Sequence, residues 1–395
     1  MKHRFPILLL LAAAIGPASA PAGTAQTIID DLARPESPNP DRKVELREVF
    51  RITDDGNDFY FKYPYHIAVG PDDSIYILEQ QQLLRFDQNG KYVRNYFKFG
   101  QGPGEMQFVW GFVPTEQGLL VHGSPDKMMV FDEAGAFIKE TPLAAPHKPF
   151  SFEALSEGQF IFSARENIFE ILQGSGPTLV PVPNYILTWK EGRDSVEPHG
   201  AFDVPTMAFR PESLPGVSTN PWCDFLFVPI GSGRVLISHT PEYLLKIFDL
   251  KSGAVVKSFR RPYDRIRYVP RKPSKKALRY GGGAVKEDPN QKKYAADIAQ
   301  LYAVGDRIWV RTSTVDKAQN PVIDVYDFDG RYLDRFTLVR PEGKKRQPTE
   351  VTRSAIRGIY FYAIEKDDED SYSIVKYEIV GAEGKDVLPL PPPSA

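Results

Sequence analysis

The chain has 395 residues, with 49 Lys plus Arg against 51 Asp plus Glu and a formal net charge of −2. At more than twice the roughly 150 residues of a common domain, either two domains or one large all-β domain fits. The balanced charge excludes a disordered polyelectrolyte and a globally basic nucleic-acid binder, while 35 Pro, 25 Phe and 19 Tyr favour strands joined by rigid turns.

Lys2 and Arg4, the apolar run Phe5 to Ile15 and the small-residue site Ala18-Ser19-Ala20 have the layout of a secretory signal peptide over residues 1–20. The run is too short to cross a bilayer core of about 30 Å, and no later segment is apolar enough, so no transmembrane segment is expected. The mature protein is predicted to be exported, to the periplasm or beyond. Cys223 is the single cysteine, which excludes an intramolecular disulfide and leaves the core to supply stability. A buried structural thiol is expected there. Residues 21–43, which include the Pro-rich ARPESPNPDR, read as a linker, residues 44–380 as the folded domain, and 381–395 as a Pro-rich tail.

Within the domain a repeat is visible. LLRFDQNGKYVRNYF from Leu83, MMVFDEAGAFIKETPL from Met128, LLKIFDLKSGAVVKSF from Leu244 and VIDVYDFDGRYLDRFTL from Val322 each set an alternating strand, an Asp and a Gly turn before a second strand. A weaker copy starts at Tyr185, and SIVKYEIV from Ser373 has no following partner. Aligning Phe86, Phe131, Trp189, Phe248, Tyr326 and Tyr377 gives spacings of 45, 58, 59, 78 and 51, hence six units. Another hairpin precedes most of these, starting at His66, Phe112, Phe152, Phe227 and Leu301, so each unit has four antiparallel strands, A to D. Four strands per repeat is the blade of a β-propeller, and the fold class is all-β, six-bladed. The sixth unit supplies three strands, so VELREVFRI from Val44 is expected to complete it and close the ring.

YHIAVGPDDSIYIL and FGQGPGEMQF, from Phe99 to Phe108, resemble the six-bladed propellers of the NHL-repeat type, in particular their secreted bacterial group. The resemblance implies the fold and leaves the activity open, because this architecture hosts enzymes, receptors and scaffolds.

A strands start and B strands end on one face of such a disc. Reading that face in order gives His66, Glu79, His122, Arg165, His239, Arg311 and Glu365, which with Glu105 of the Gly-rich stretch form the expected ligand-binding face. The GQGPGE stretch reads either as an anion-cradling loop or as a tight connection in which Glu105 bonds backbone amides. Tyr63 to His66 and Phe108 to Trp110 are expected to make an aromatic rim beside it. An insertion at 260–294 between units 4 and 5 carries Arg261, Arg265, Arg267, Arg271, Lys272, Lys275, Lys276, Arg279 and Lys286 against Asp264, and would attract an anionic partner.

A non-enzymatic binding module, monomeric and without cofactor, is therefore expected, with a protein, glycan or anionic surface as partner and no nucleic acid. The alternative is a metal-dependent lyase or lactonase working in the central channel. His66, His122 and His239 on one face are the candidate zinc ligands, an arrangement similar to that of the peptidylglycine amidating lyases, whose pattern His66 alone matches while blade 2 has Phe108 to Trp110 in the corresponding stretch. Resemblance to gluconolactonase-like propellers implies calcium, for which Glu79, Asp224 and Glu365 are the available carboxylates.

Overall fold

The computed structural model describes residues 29–31, 42–54, 56–143, 147–156, 158–172, 178–209, 218–268, 292–341, 354–367 and 371–381. Two strands come first, β1 (Ile29–Asp31) and β2 (Lys43–Thr53). Blade 1 follows with β3 (His66–Val69), β4 (Ile75–Glu79), β5 (Gln82–Phe86) and β6 (Tyr92–Asn95). Blade 2 holds β7 (Phe108–Thr115), β8 (Gly118–Ser124), β9 (Lys127–Phe131) and β10 (Phe137–Pro142). Blade 3 is built from β11 (Lys148–Ser156), β12 (Gln159–Arg165), the single helical turn α1 (Ile168–Ile171), β13 (Thr178–Lys190), β14 (Glu197–Phe209) and β15 (Ser218–Pro221). β16 (Leu226–Pro229), β17 (Arg234–Ser238), β18 (Leu244–Asp249) and β19 (Ala254–Arg260) make blade 4. β20 (Ile298–Val304), β21 (Arg307–Val315), β22 (Pro321–Asp327) and β23 (Tyr332–Val339) make blade 5. Blade 6 takes β24 (Ser354–Arg357), β25 (Tyr360–Lys366) and β26 (Tyr372–Gly381) from the C-terminal end and β2 from the N-terminal end.

The A strands lie side by side in a closed circuit: β3 meets β7 and β24, β11 meets β7 and β16, and β20 meets β16 and β24. This is a six-bladed β-propeller. Its closure is by β2, which pairs antiparallel with β26 from Val44 to Thr53 and also bridges in parallel to β23 at Lys43–Glu45.

Each of the six interfaces between neighbouring blades has its own apolar cluster. A strand between two packed neighbours must be apolar on both faces, which is why β4 is buried along its whole length. Strand alternation divides its residues, with Ile75 and Ile77 facing blade 6 and Tyr76 and Leu78 facing blade 2.

The hairpins between C and D strands share one device. Asp249 and Asp327 end their C strands, Asp87 and Asp132 directly follow theirs, and all four accept amides of their own turns, from Ser252, Asp329, Asn89 and Ala136 at 2.7–3.1 Å. Gly90 and Gly330 follow with φ of 82° and 76°. At Gly330 a Cβ would also stand 2.7 Å from the Phe259 ring of blade 4, so both backbone and packing demand glycine there.

Two features differ from four strands per blade. β15 adds a fifth strand to blade 3, whose β13 and β14 run on past the disc as a longer hairpin with its own small core of Ile168, Leu172, Val182 and Ala208. β1 adds a fifth to blade 4, pairing in parallel with Ser258–Arg260. The linker expected over residues 21–43 is thereby corrected: Ile29–Asp31 is a strand that covers the outer edge of blade 4. The signal peptide expected at 1–20 and all but Gly381 of the tail expected at 381–395 lie outside the described residues. No helix among the described residues is long and apolar enough to cross a membrane.

Candidate functional site

The chain enters every A strand and leaves every B and D strand on one face of the disc, here the B-end face. Most of the sequence-predicted residues are on or beside these strand ends, but Arg311, expected at the end of its B strand, lies in the middle of β21, which runs on to Val315, and the residues sit in separate seams between blades. A B-strand side chain points sideways into a seam, because the A strand lies between it and the axis.

His66 opens β3 and lays its ring against Phe112, with centroids 4.9 Å apart. His122 is 2% exposed and shares a strand face with Leu120 in the seam between blades 2 and 3. His239, just past β17, follows Val235 and Ile237 into the seam between blades 3 and 4, where its Nδ1 lies 2.8 Å from the Asp203 carbonyl and its ring meets Phe202. The three imidazoles of the zinc alternative are thus distributed over three seams. The calcium alternative fares the same way, since no three His, Cys, Asp or Glu among the described residues come together to hold a metal. Among the described residues neither ligand set comes together at one point.

Glu79 ends β4 and is fully buried. Its Oε1 accepts the Tyr63 amide at 2.7 Å, while Oε2 has no hydrogen-bond partner. Burial holds this carboxyl above its ordinary pKa. Burial, with the Glu79 charge added, pushes the neighbouring Tyr65 up to about 12. Arg165 ends β12, and burial lowers its pKa. Arg311 lies in β21, on the strand face of Trp309 toward blade 6, and its Nε is buried without a partner.

Glu365 is buried and accepts Arg51 at 3.0 Å and the Tyr377 hydroxyl. Glu105 folds back on its own loop, its Oε2 accepting the Gly102 amide at 3.0 Å. The Gly104 amide goes to Glu140, which also holds Lys127 at 2.8 Å. Carboxylates of the chain itself therefore occupy the amides of the GQGPGE connection. A Cβ on Gly100, whose φ is 159°, would stand 2.0 Å from Glu105 Oε2 and displace that carboxylate from its loop.

The aromatic rim is exposed: Phe99 at 68%, Tyr63 at 42% and Phe108 at 37%, with Phe108 and Trp110 centroids 4.4 Å apart. The root of the insertion is a short antiparallel stem in which Tyr268 and Ala295 donate to Lys293 and Ile266, and Arg267 bridges Tyr294. Two of its basic residues are already engaged. Arg261 is buried against Asp324, and Arg265 holds Asp297 at 3.0 Å and Glu242 at 3.2 Å. Arg271, Lys272, Lys275, Lys276 and Arg279 lie outside the described residues. Cys223 is buried and its thiol is pushed up to about 12, first by burial and then by Asp224, so it stays protonated and is a poor nucleophile.

Sequence reading missed Arg340, which follows β23 and joins Arg311, Tyr302, Ser354 and Glu365 around a small cavity between blades 5 and 6. The available signal was that D strands end on the same face as B strands.

His122 yields a pH prediction. Burial lowers its pKa to about 4, and Asp126 is too distant, at 3.9 Å, for a hydrogen bond. The unfolded chain binds this proton near pH 6.5 and the folded chain only near 4, so stability present above 6.5 is lost as pH falls through that window. The loss is at most about 3 kcal/mol. Urea unfolding at stepped pH should show wild type losing stability relative to His122→Leu across the window. A constant difference between the two would contradict a buried neutral imidazole.

A protein-family model described as a 6-bladed beta-propeller matches residues 51–171. No curated protein matches the chain. Among solved structures, a protein of Bacteroides fragilis NCTC 9343 thought to be exported is similar over 89% of this chain and 98% of its own, at 13% identity and a TM-score of 0.45. Hydrazine synthase of Kuenenia stuttgartiensis is similar over 76% of this chain and 73% of its own, at 13% identity and a TM-score of 0.38. The beta-propeller domain of Cps50 (Swd1) from Myceliophteria thermophila covers 78% of this chain and 95% of its own, at 10% identity and a TM-score of 0.37. Likeness at this level carries no conclusion about activity.

Proposed function

We propose that the chain is an exported binding module, of the NHL-repeat kind, that recognises a protein, glycan or anionic surface with the B-end face of its disc. The observation carrying this reading is the group of exposed aromatic side chains where the chain enters blades 1 and 2, Tyr63, Phe99 and Phe108. The hairpin face closes on itself through the Asp87, Asp132, Asp249 and Asp327 turns. Near the B-end face, Glu79 Oε2, His122 Nε2, His239 Nε2 and Arg311 Nε are buried without hydrogen-bond partners. The exposed Tyr63, Phe99 and Phe108 add apolar contact area on the same side.

The mature protein should sediment with envelope fractions of its native host, and more weakly as salt rises from about 50 to about 500 mM. Phe99→Ser and Phe108→Ser should abolish that association with the melting temperature kept. Asn89→Ser and Lys251→Ser on the hairpin face should leave it intact. Equal effects from both pairs would refute the assignment of the face.

A further inference from the structure

We propose that the seam between blades 5 and 6 receives a single carboxylate group, taken in by the Arg311 guanidinium beside Arg340. The inference deepens the reading of the B-end face as the binding face, and rests on it.

The cavity is lined by Tyr302, Arg311, Arg340, Ser354, Ile364 and Glu365 among others and has a volume of about 20 Å³. A void of roughly 10–15 Å³ on this measure admits one water, so this one admits one or two atoms of that size. That suits the oxygens of a carboxylate and excludes a sugar ring or a nucleotide. The polar lining is unevenly satisfied. Tyr302, Ser354 and Gln300 hydrogen-bond to one another at 2.7–3.1 Å. Glu365 is held from the blade 6 side by Arg51 and Tyr377. Arg311 is hydrogen-bonded to Tyr302, while its Nε is buried without a partner.

The charges favour an anion of limited size. Arg340 has its pKa lowered, first by burial and in part by the neighbouring charge of Arg311, against the attraction of Glu365. Two like charges in one seam are relieved by an anion between them, and the planar fork of Arg matches a carboxylate. The buried Glu365 sets the upper limit, since its own charge opposes a dianion such as phosphate. A free small acid and the carboxylate end of a longer chain present the same group.

The probes are acetate, N-acetylglycine as a chain end, and acetamide and inorganic phosphate as controls, titrated at fixed ionic strength against the purified mature protein and followed by melting temperature and NMR. No partner is present, so the result is independent of whether the face binds one. Acetate or N-acetylglycine should stabilise wild type while acetamide and phosphate do not. Arg311→Gln should weaken the binding about tenfold, or ~1.4 kcal/mol, with Arg311→Lys intermediate because it keeps the charge and loses the fork. Tighter binding of N-acetylglycine assigns the seam to a chain end, and equal binding assigns it to a free acid. No carboxylate effect beyond that of chloride in wild type, or an undiminished one in Arg311→Gln and Arg311→Lys, overturns the proposal.

Discussion

Replacing Asp324 with alanine should destabilise the protein by about 3–5 kcal/mol, the cost of breaking a buried ion pair from one side. Asp324 is fully buried in β22 and accepts from four donors: Arg261 Nε at 2.8 Å and Nη2 at 2.6 Å, Arg335 Nε at 2.9 Å, and the Tyr243 hydroxyl at 2.8 Å. Tyr243 in turn meets the Tyr326 hydroxyl at 2.8 Å, so the cluster joins blade 4 to blade 5. Burial opposes the charge on Arg261, and the Asp324 carboxylate outweighs it, so the pKa of that guanidinium is raised. Alanine would leave Arg261 charged, buried and facing the rings of Tyr243 and Tyr263 with no counter-charge. Urea unfolding should show a markedly lower midpoint for Asp324→Ala. Much of the loss should return in the double variant Asp324→Leu with Arg261→Met, because an apolar replacement of the pair is close to neutral. A loss under about 1 kcal/mol in the single variant would show that the cluster does not hold the two blades together.

Removing residues 1–53 should have an even larger effect and abolish the cooperative fold. β2 buries Val44, Leu46 and Ile52, each contributing about 1.5–3 kcal/mol, so these three side chains together rival the ~5–15 kcal/mol that holds an ordinary domain folded. Their loss would also expose the edge of β26 along the whole length that β2 covers. The truncated chain should aggregate or melt without a sharp transition. A synthetic peptide spanning Arg42 to Asp54, added during refolding, should restore the transition in trans. A truncated chain that melts cooperatively at the wild-type temperature would show that the ring does not depend on this strand.

Which parts of the molecule can be read from its sequence follows from how local their causes are. The C–D hairpins at Asp87, Asp132, Asp249 and Asp327 are visible because the Asp, the Gly and the flanking alternation all lie within about a dozen residues. The closing role of β2 is visible because an alternating strand without a partner at one end matches a blade short of one strand at the other. Blade 3 is harder. Pro181, Pro183, Pro198 and Pro205 interrupt the alternation of β13 and β14, and a register shift falls between Ile186 and Leu187, so nothing local announces a hairpin longer than the disc. β1 has only three residues, too few to show a period, and depends on an edge more than two hundred residues away.

The candidate site divides along the same line. Strand ends place Glu79, Arg165 and His239 near one face, because topology alone fixes that, whereas β21 runs four residues past Arg311. Whether residues at strand ends meet depends on which seam each side chain enters, a one-residue question of strand facing. The spread of His66, His122 and His239 over three seams is the outcome of that choice. The engagement of Arg265 by Asp297 and of Arg261 by Asp324 is equally nonlocal, which is why a basic block in sequence is in part an internal staple in the fold.

The most direct test of the proposed binding face is photo-crosslinking of the protein in cells of its native host. A photoreactive residue is placed singly at Tyr63, Phe99 or Phe108 on the B-end face, and at Asn89, Ala134 or Lys251 on the hairpin face. Discrete adducts from the first three positions, absent from the other three, are the predicted result. Adducts from the hairpin face with none from the B-end face would contradict the account.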